Sequence, residues 1–236
     1  MHRETEHNRL QLLGSALAAL LGGCVTADVE QFRQSGTGIE ENEAVVILTR
    51  TDYSDEQAEV GFTKCMGDAL ARGQQPLTLH SQQEFMDGLF PYFEPRLAPT
   101  SADALPELLG HPGVAEKIAE TSVRYVVWVD GGTETVDQGG SMTCAFSLGG
   151  GGCFGLNWWE RDSSYEASIW DLKNPGAAGN ISADASGTSY VAGLIVPIPI
   201  IARTQKAACE GLAQQLKKFL VAEDATGQQR VASPDP

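Results

Sequence analysis

Apolar and polar residues are distributed differently in the two halves of this chain. Residues 43–49 (EAVVILT) form an unbroken apolar run, which predicts a strand buried on both faces. Ser54, Asp55, Glu56 and Gln57 read as a capping box. After it Ala58, Phe62, Cys65, Met66, Ala69 and Leu70 recur at helical spacing, with Gly73 suited to the helix end. Residues 76–80 predict a short strand. Ser81 to Glu84 repeats the capping pattern ahead of Phe85, Leu89 and Phe90. Residues 91–112 are irregular, with a short helical piece at 105–109. Pro112 suits the first position of a helix that points Val114 and Ile118 inward. Residues 124–130 (RYVVWVD) predict a second buried strand.

From there the apolar period shortens to two. Strands are expected near 142–146, 153–160, 165–172 and 180–186, with turns at 161–164 and 174–176. Residues 193–202 (GLIVPIPIIA) are apolar but broken by two prolines. A last helix is expected over 204–222, with Cys209, Leu212, Leu216, Phe219 and Leu220 as its apolar stripe. This order predicts one α/β (α+β) domain, a mixed sheet with helices packed on it.

The amino-terminal residues point to export. Arg3 and Arg9 precede an apolar stretch over residues 10–21, too short for a membrane span, which needs about 20 residues. Leu21, Gly22, Gly23 and Cys24 come next and resemble the lipobox of bacterial lipoproteins. The resemblance implies a signal peptide over 1–23, cleavage, and diacylglycerol on the Cys24 thiol. Val25, rather than an aspartate, after the cysteine implies a place on the outer membrane facing the periplasm. Residues 24–42 lack periodicity and read as a lipidated tether of about 25 Å root-mean-square span. The expected layout is then a periplasmic domain over 43–222 and a flexible tail over 223–236.

Charge and cysteines narrow the function. The chain carries 16 basic and 31 acidic residues, a net charge of −15. Such a surface repels nucleic acid, and no nucleic-acid partner is expected. With Cys24 lipidated, Cys65, Cys144, Cys153 and Cys209 remain, an even number suited to two disulfides in an exported protein. Cys144 and Cys153 flank a Gly-rich turn, and Cys65 and Cys209 lie on apolar helix faces, so the expected pairs are 144–153 and 65–209. Four buried thiols are the alternative. No C-x-x-C or nearby His pair suggests a metal, and no cofactor is expected.

Chemistry-bearing motifs are sparse. Gly150, Gly152 and Gly155 match G-x-G-x-x-G, but residues 157–160 after them read as strand, not the helix a dinucleotide site needs. Ser141 and Ser189 lie outside G-x-S-x-G. His80, His111, Glu84, Asp87, Asp130, Glu160 and Asp171 have no spacing that fixes them together, so no catalytic residue is assigned. Trp158 and Trp159 are adjacent in an expected strand. Their rings should point to opposite faces and differ in exposure. One of them, with Ile195 and Ile198 in the proline-broken run, is the candidate partner-binding surface; core packing of the rings and a buried run leading into the last helix are the alternative.

The segment from Tyr165 to Gly176 (YEASIWDLKNPG) resembles the strand-turn of periplasmic lipoproteins related to the curli secretion channel lipoprotein and the TolB amino-terminal domain. There a strand ends in an Asp-Leu-Lys turn and a second strand returns. The early strand-helix pair and the final helix fit the same plan. The resemblance implies a role in envelope assembly. No pair of long alternating strands is evident here, which speaks against a pore. The expected function is a noncatalytic, membrane-anchored lipoprotein binding an envelope protein partner or its own copies as a homo-oligomer. An enzyme acting on an envelope polymer is the other class.

Overall fold

The computed structural model describes residues 24–49, 60–73, 75–94, 96–147 and 150–221; the side chains of Val60, Leu194 and Ile195 lie outside that description. The expected signal peptide, the first capping box and the tail fall outside it too. Among these described residues, seven strands form one mixed sheet, with five helices. The strands are β1 (Val25–Arg33), β2 (Ala44–Thr49), β3 (Thr78–His80), β4 (Val123–Ser147), β5 (Gly150–Asp171), β6 (Gly176–Ile195) and β7 (Pro197–Ile200). The helices are α1 (Val60–Leu70), α2 (Gln82–Gly88), α3 (Leu105–Leu109), α4 (Val114–Glu120) and α5 (Thr204–Val221), with a 3-10 turn at Ala102–Ala104. The sheet order is β1-β6-β5-β4-β2-β3, with β7 added to β6.

The described chain falls into two compact units, and β4, β5 and β6 each contribute to both. The first holds residues 29–131, 165–182 and the chain from Cys209. In it β2 pairs in parallel with β3 and with β4, Val45 opposite Leu79 and Tyr125. Residues of β2 alternate between the sheet faces. Val46 and Leu48 pack with Phe85, Leu89, Phe93, Leu105, Leu108, Val114, Ile118, Trp128 and Trp170, so α2, α3 and α4 cover one face. The other face buries Val45 and Ile47. There Phe62 of α1 stacks on Tyr165 at 3.5 Å between ring centroids, and Phe219 of α5 reaches Gly179. A disulfide joins Cys65 of α1 to Cys209 of α5 across 144 residues.

The second unit holds residues 24–28, 132–164 and 183–208 of the described chain. It is a ribbon made of the outer halves of β4, β5 and β6, edged by β7. β7 runs antiparallel to β6, with Tyr190 opposite Ile200 and Ala192 opposite Ile198. Cys144 and Cys153 form a disulfide across β4 and β5, Cα atoms 4.0 Å apart.

Four expectations need correction. β4, β5 and β6 are 25, 22 and 20 residues long, where short strands were expected. The ground for setting long strands aside therefore falls. Residues 161–164 are not a turn but lie inside β5. Ser163 is buried, and its Oγ bonds those of Thr133 at 2.9 Å and Thr204 at 2.8 Å, so a polar residue there serves the interior. Residues 25–33 of the expected tether form β1, whose backbone pairs with β6 while residues 26–32 stay exposed. A strand exposed on both faces needs no apolar period. Finally, Pro112 does not open α4: Gly113, at φ 82°, caps it and Val114 begins it.

Candidate functional site

The features that stand apart from folding are at Cys24 and on the ribbon. Cys24 is exposed and is the one free cysteine among the described residues. Its strand β1 is held to β6 in part by Thr26 Oγ1, 2.8 Å from Ser186 Oγ. The Cys24 carbonyl lies so close to Gly187 that a Cβ there would sit 2.9 Å from it and equally close to the Ala202 Cβ. Only glycine allows that approach, and it fixes where along the ribbon the chain enters. The buried hydroxyls around this point are satisfied: Ser189 Oγ accepts from the Ala202 N–H at 3.0 Å, beside the Ser163–Thr204 pair.

Beyond Gly187 the ribbon exposes apolar side chains. Phe146 is 83 % exposed and Phe154 76 %, with Leu156, Val196, Ile198 and Ile201 also exposed. A shallow groove of about 670 Å³ runs along one face, lined by Ser141, Thr143, Ala145, Phe154 and Leu156. Trp158 continues that face, its indole over Gly139 within 3.1 Å of where a Cβ would be. Trp158 and Trp159 are both half-buried, contrary to the expected difference in exposure. The bare backbone at Gly139 supplies the cover that Trp158 would otherwise lack. Ile198 is exposed on β7, and Ile195 ends β6 with its side chain outside the description. Gly150, Gly152 and Gly155 lie in β5, as a strand and not as a phosphate loop.

The other candidate residues are dispersed or structural. Asp171, almost wholly buried, accepts from the Lys173 and Asn174 backbone N–H groups and from Asn174 Nδ2, which makes the Asp-Leu-Lys turn. Arg124 sits 3.6 Å from it, donates to Glu43 at 2.8 Å and to the Gly38 carbonyl. Lys173 Nζ completes the cluster on Glu43 and Glu40. Burial alone would raise the Glu43 pKa; the hydrogen bonds from Arg124 and Lys173 outweigh it and hold the carboxyl below its ordinary 4.5. This clamp ties β2, β4 and the β5–β6 turn together. Sequence reading found Asp171 but not Glu43, Arg124 or Lys173. The charges bracketing the two apolar strands were the available signal. His80 lies near the Phe85 ring edge with its Nδ1 3.2 Å from the Ser81 carbonyl, and His111 stacks on Tyr92. Ser81 caps α2, its Oγ accepting from the Glu84 N–H, and Ser141 and Ser189 sit on different strands, one exposed and one buried. No group of three or more potential metal ligands occurs among the described residues, and no described helix is long and apolar enough to cross a membrane.

The fold thus defines an α+β protein with a seven-stranded mixed sheet among the described residues. No family model and no curated protein matches the chain. Among solved structures it is similar to the PelC dodecamer from Paraburkholderia phytofirmans, seen in two crystal forms, one of a point variant. Identity is 15 %, with 84 % of this chain and 100 % of that chain covered and TM-scores of 0.37 and 0.36. Likeness at that level carries no function across.

Proposed function

We propose that this chain is a noncatalytic envelope lipoprotein, acylated at Cys24 on the periplasmic side of the outer membrane, that works by binding a protein partner through its ribbon. The Leu21–Cys24 pattern, the exposed thiol and the two disulfides support export and acylation. The observation that carries the binding reading is the outer edge of β4. From Glu134 to Ser147 no described strand pairs with it on the side away from β5. Such an edge is a template on which an extended segment adds a strand. The opposite edge is blunted, because Pro197 and Pro199 of β7 have no N–H to offer. Glu134 and Asp137 give the open edge negative charge, which favours a basic segment over a second copy of this acidic chain.

In an antiparallel strand, adjacent residues direct their N–H groups to opposite sides. Of Thr135 and Val136, one therefore faces the open edge. Thr135→Pro and Val136→Pro should behave differently: one disrupts pairing with β5, the other leaves the domain folded and loses its partner. Capture from detergent-solubilised envelopes, read beside a melting curve, checks this. Full capture by the folded proline variant would exclude the edge.

A further inference from the structure

Charge disappears from every strand of the ribbon at one level, and that level is where Cys24 enters. In a chain that is 20 % charged, residues 138–159 and 185–202 contain no Asp, Glu, Lys or Arg. The last charges are Asp137 on β4, Glu160 on β5, Asp184 on β6 and Arg203 after β7. Cys24 abuts Gly187, three residues past Asp184 on β6. Past that line lie Phe146, Phe154, Leu156, Val196 and Ile198, all exposed. At the line itself lie Trp158 and Trp159, with Tyr190 just beyond. Trp and Tyr favour the lipid headgroup boundary, and purely apolar side chains favour the depth below it.

We propose that the uncharged outer ribbon is a membrane-docking element, seated on the same bilayer that receives the acyl chains of Cys24. This rests on acylation of Cys24 for its orientation, though not for its apolar composition. From Gly187 to Ile195, β6 extends about 26 Å at ~3.3 Å per residue, long enough to reach well past the headgroups. Full insertion is opposed by the open edge of β4, whose N–H and C=O groups would lack partners in hydrocarbon. The ribbon therefore lies at the boundary, roughly 5–10 Å deep, with that edge kept among headgroups or covered by a partner's strand. The β7 edge suits this position, because its prolines present no donor that lipid would leave unsatisfied.

Tryptophan fluorescence gives a direct test on the full exported chain. Trp128 and Trp170 are buried in the other unit, so Trp158 and Trp159 are the tryptophans within reach of lipid. The protein is reconstituted into vesicles of phosphatidylethanolamine with a minor share of phosphatidylglycerol, brominated on the acyl chains. Quenching of the emission is expected, and a Trp158→Phe, Trp159→Phe variant should lose it. The Cys24→Ser chain should still float with vesicles. Phe146→Asp with Phe154→Asp should weaken that flotation by at least about tenfold. Absent quenching while mass spectrometry finds the acyl group on Cys24 would overturn docking and leave the anchor standing. Quenching without the acyl group would do the reverse. Tryptophans already shielded by a protein partner or a second copy, and unmoved by lipid, would also overturn it.

Discussion

Glu43 is the residue whose environment has a measurable consequence in solution. Its folded pKa lies below 4.5, so the stabilisation is complete above that value and is lost as pH falls through the folded pKa. Glu43→Gln should flatten the acid side of the stability profile and lower stability near neutrality, where the ion pairs with Arg124 and Lys173 are intact. Thermal melts from about pH 7 down to about pH 3 would show it. Equal acid sensitivity in both proteins would place the titrating group elsewhere. The bracketing of the apolar strands marks Glu43 and Arg124 singly but does not join them with Lys173, because the three are far apart in the chain and ordinary surface charges by type. Asp171 was legible because a turn acid announces itself by its neighbours, here Leu172, Lys173, Asn174, Pro175 and Gly176.

Among the elements, those with a buried face were legible and those without were not. The helical spacing of Phe62, Met66 and Leu70, and of Leu212, Leu216 and Phe219, marks side chains that are fully buried in α1 and α5. The runs at β2 and the first part of β4 are apolar because helices cover both sheet faces. The outer half of β4 alternates nothing, since almost every residue from Glu134 to Ser147 is exposed. The cysteine pairs were legible for the same reason as the helices, from position on a face and around a turn. They should differ in value. In the chain-entropy account, closing 144 residues contributes about 5 kcal/mol and closing nine about 2.6 kcal/mol. Cys65→Ser with Cys209→Ser should therefore lower the melting temperature more than Cys144→Ser with Cys153→Ser. Calorimetry of the two double variants settles the order.

At the scale of the whole molecule, the decisive expectation is the anchor. Cys24→Ala should abolish palmitate labelling and remove the acyl contribution to membrane retention, leaving any residual attachment to the ribbon. Undiminished labelling would end the lipoprotein reading. One acyl chain binds only marginally and several bind stably, so retention should fall by orders of magnitude. The mixed sheet and its helices were readable from the order of elements. The division into a packed unit and a ribbon was not, because an exposed strand and an ordinary loop share the same composition of small, polar and scattered apolar residues.

The link between α1 and α5 also sets an order of events. If the chain is exported as proposed, with Cys24 taken by lipid, threading amino end first into an oxidising space presents Cys65, then Cys144, then Cys153, and Cys209 last. The thiol of Cys65 thus meets two wrong partners before its own emerges, and its native bond encloses the bond between those two. Oxidation in order of arrival gives the wrong pairs. Maturation must then depend on early closure of the Cys144–Cys153 hairpin, which takes both competitors out of reach, or on later thiol exchange to correct what arrival order has joined.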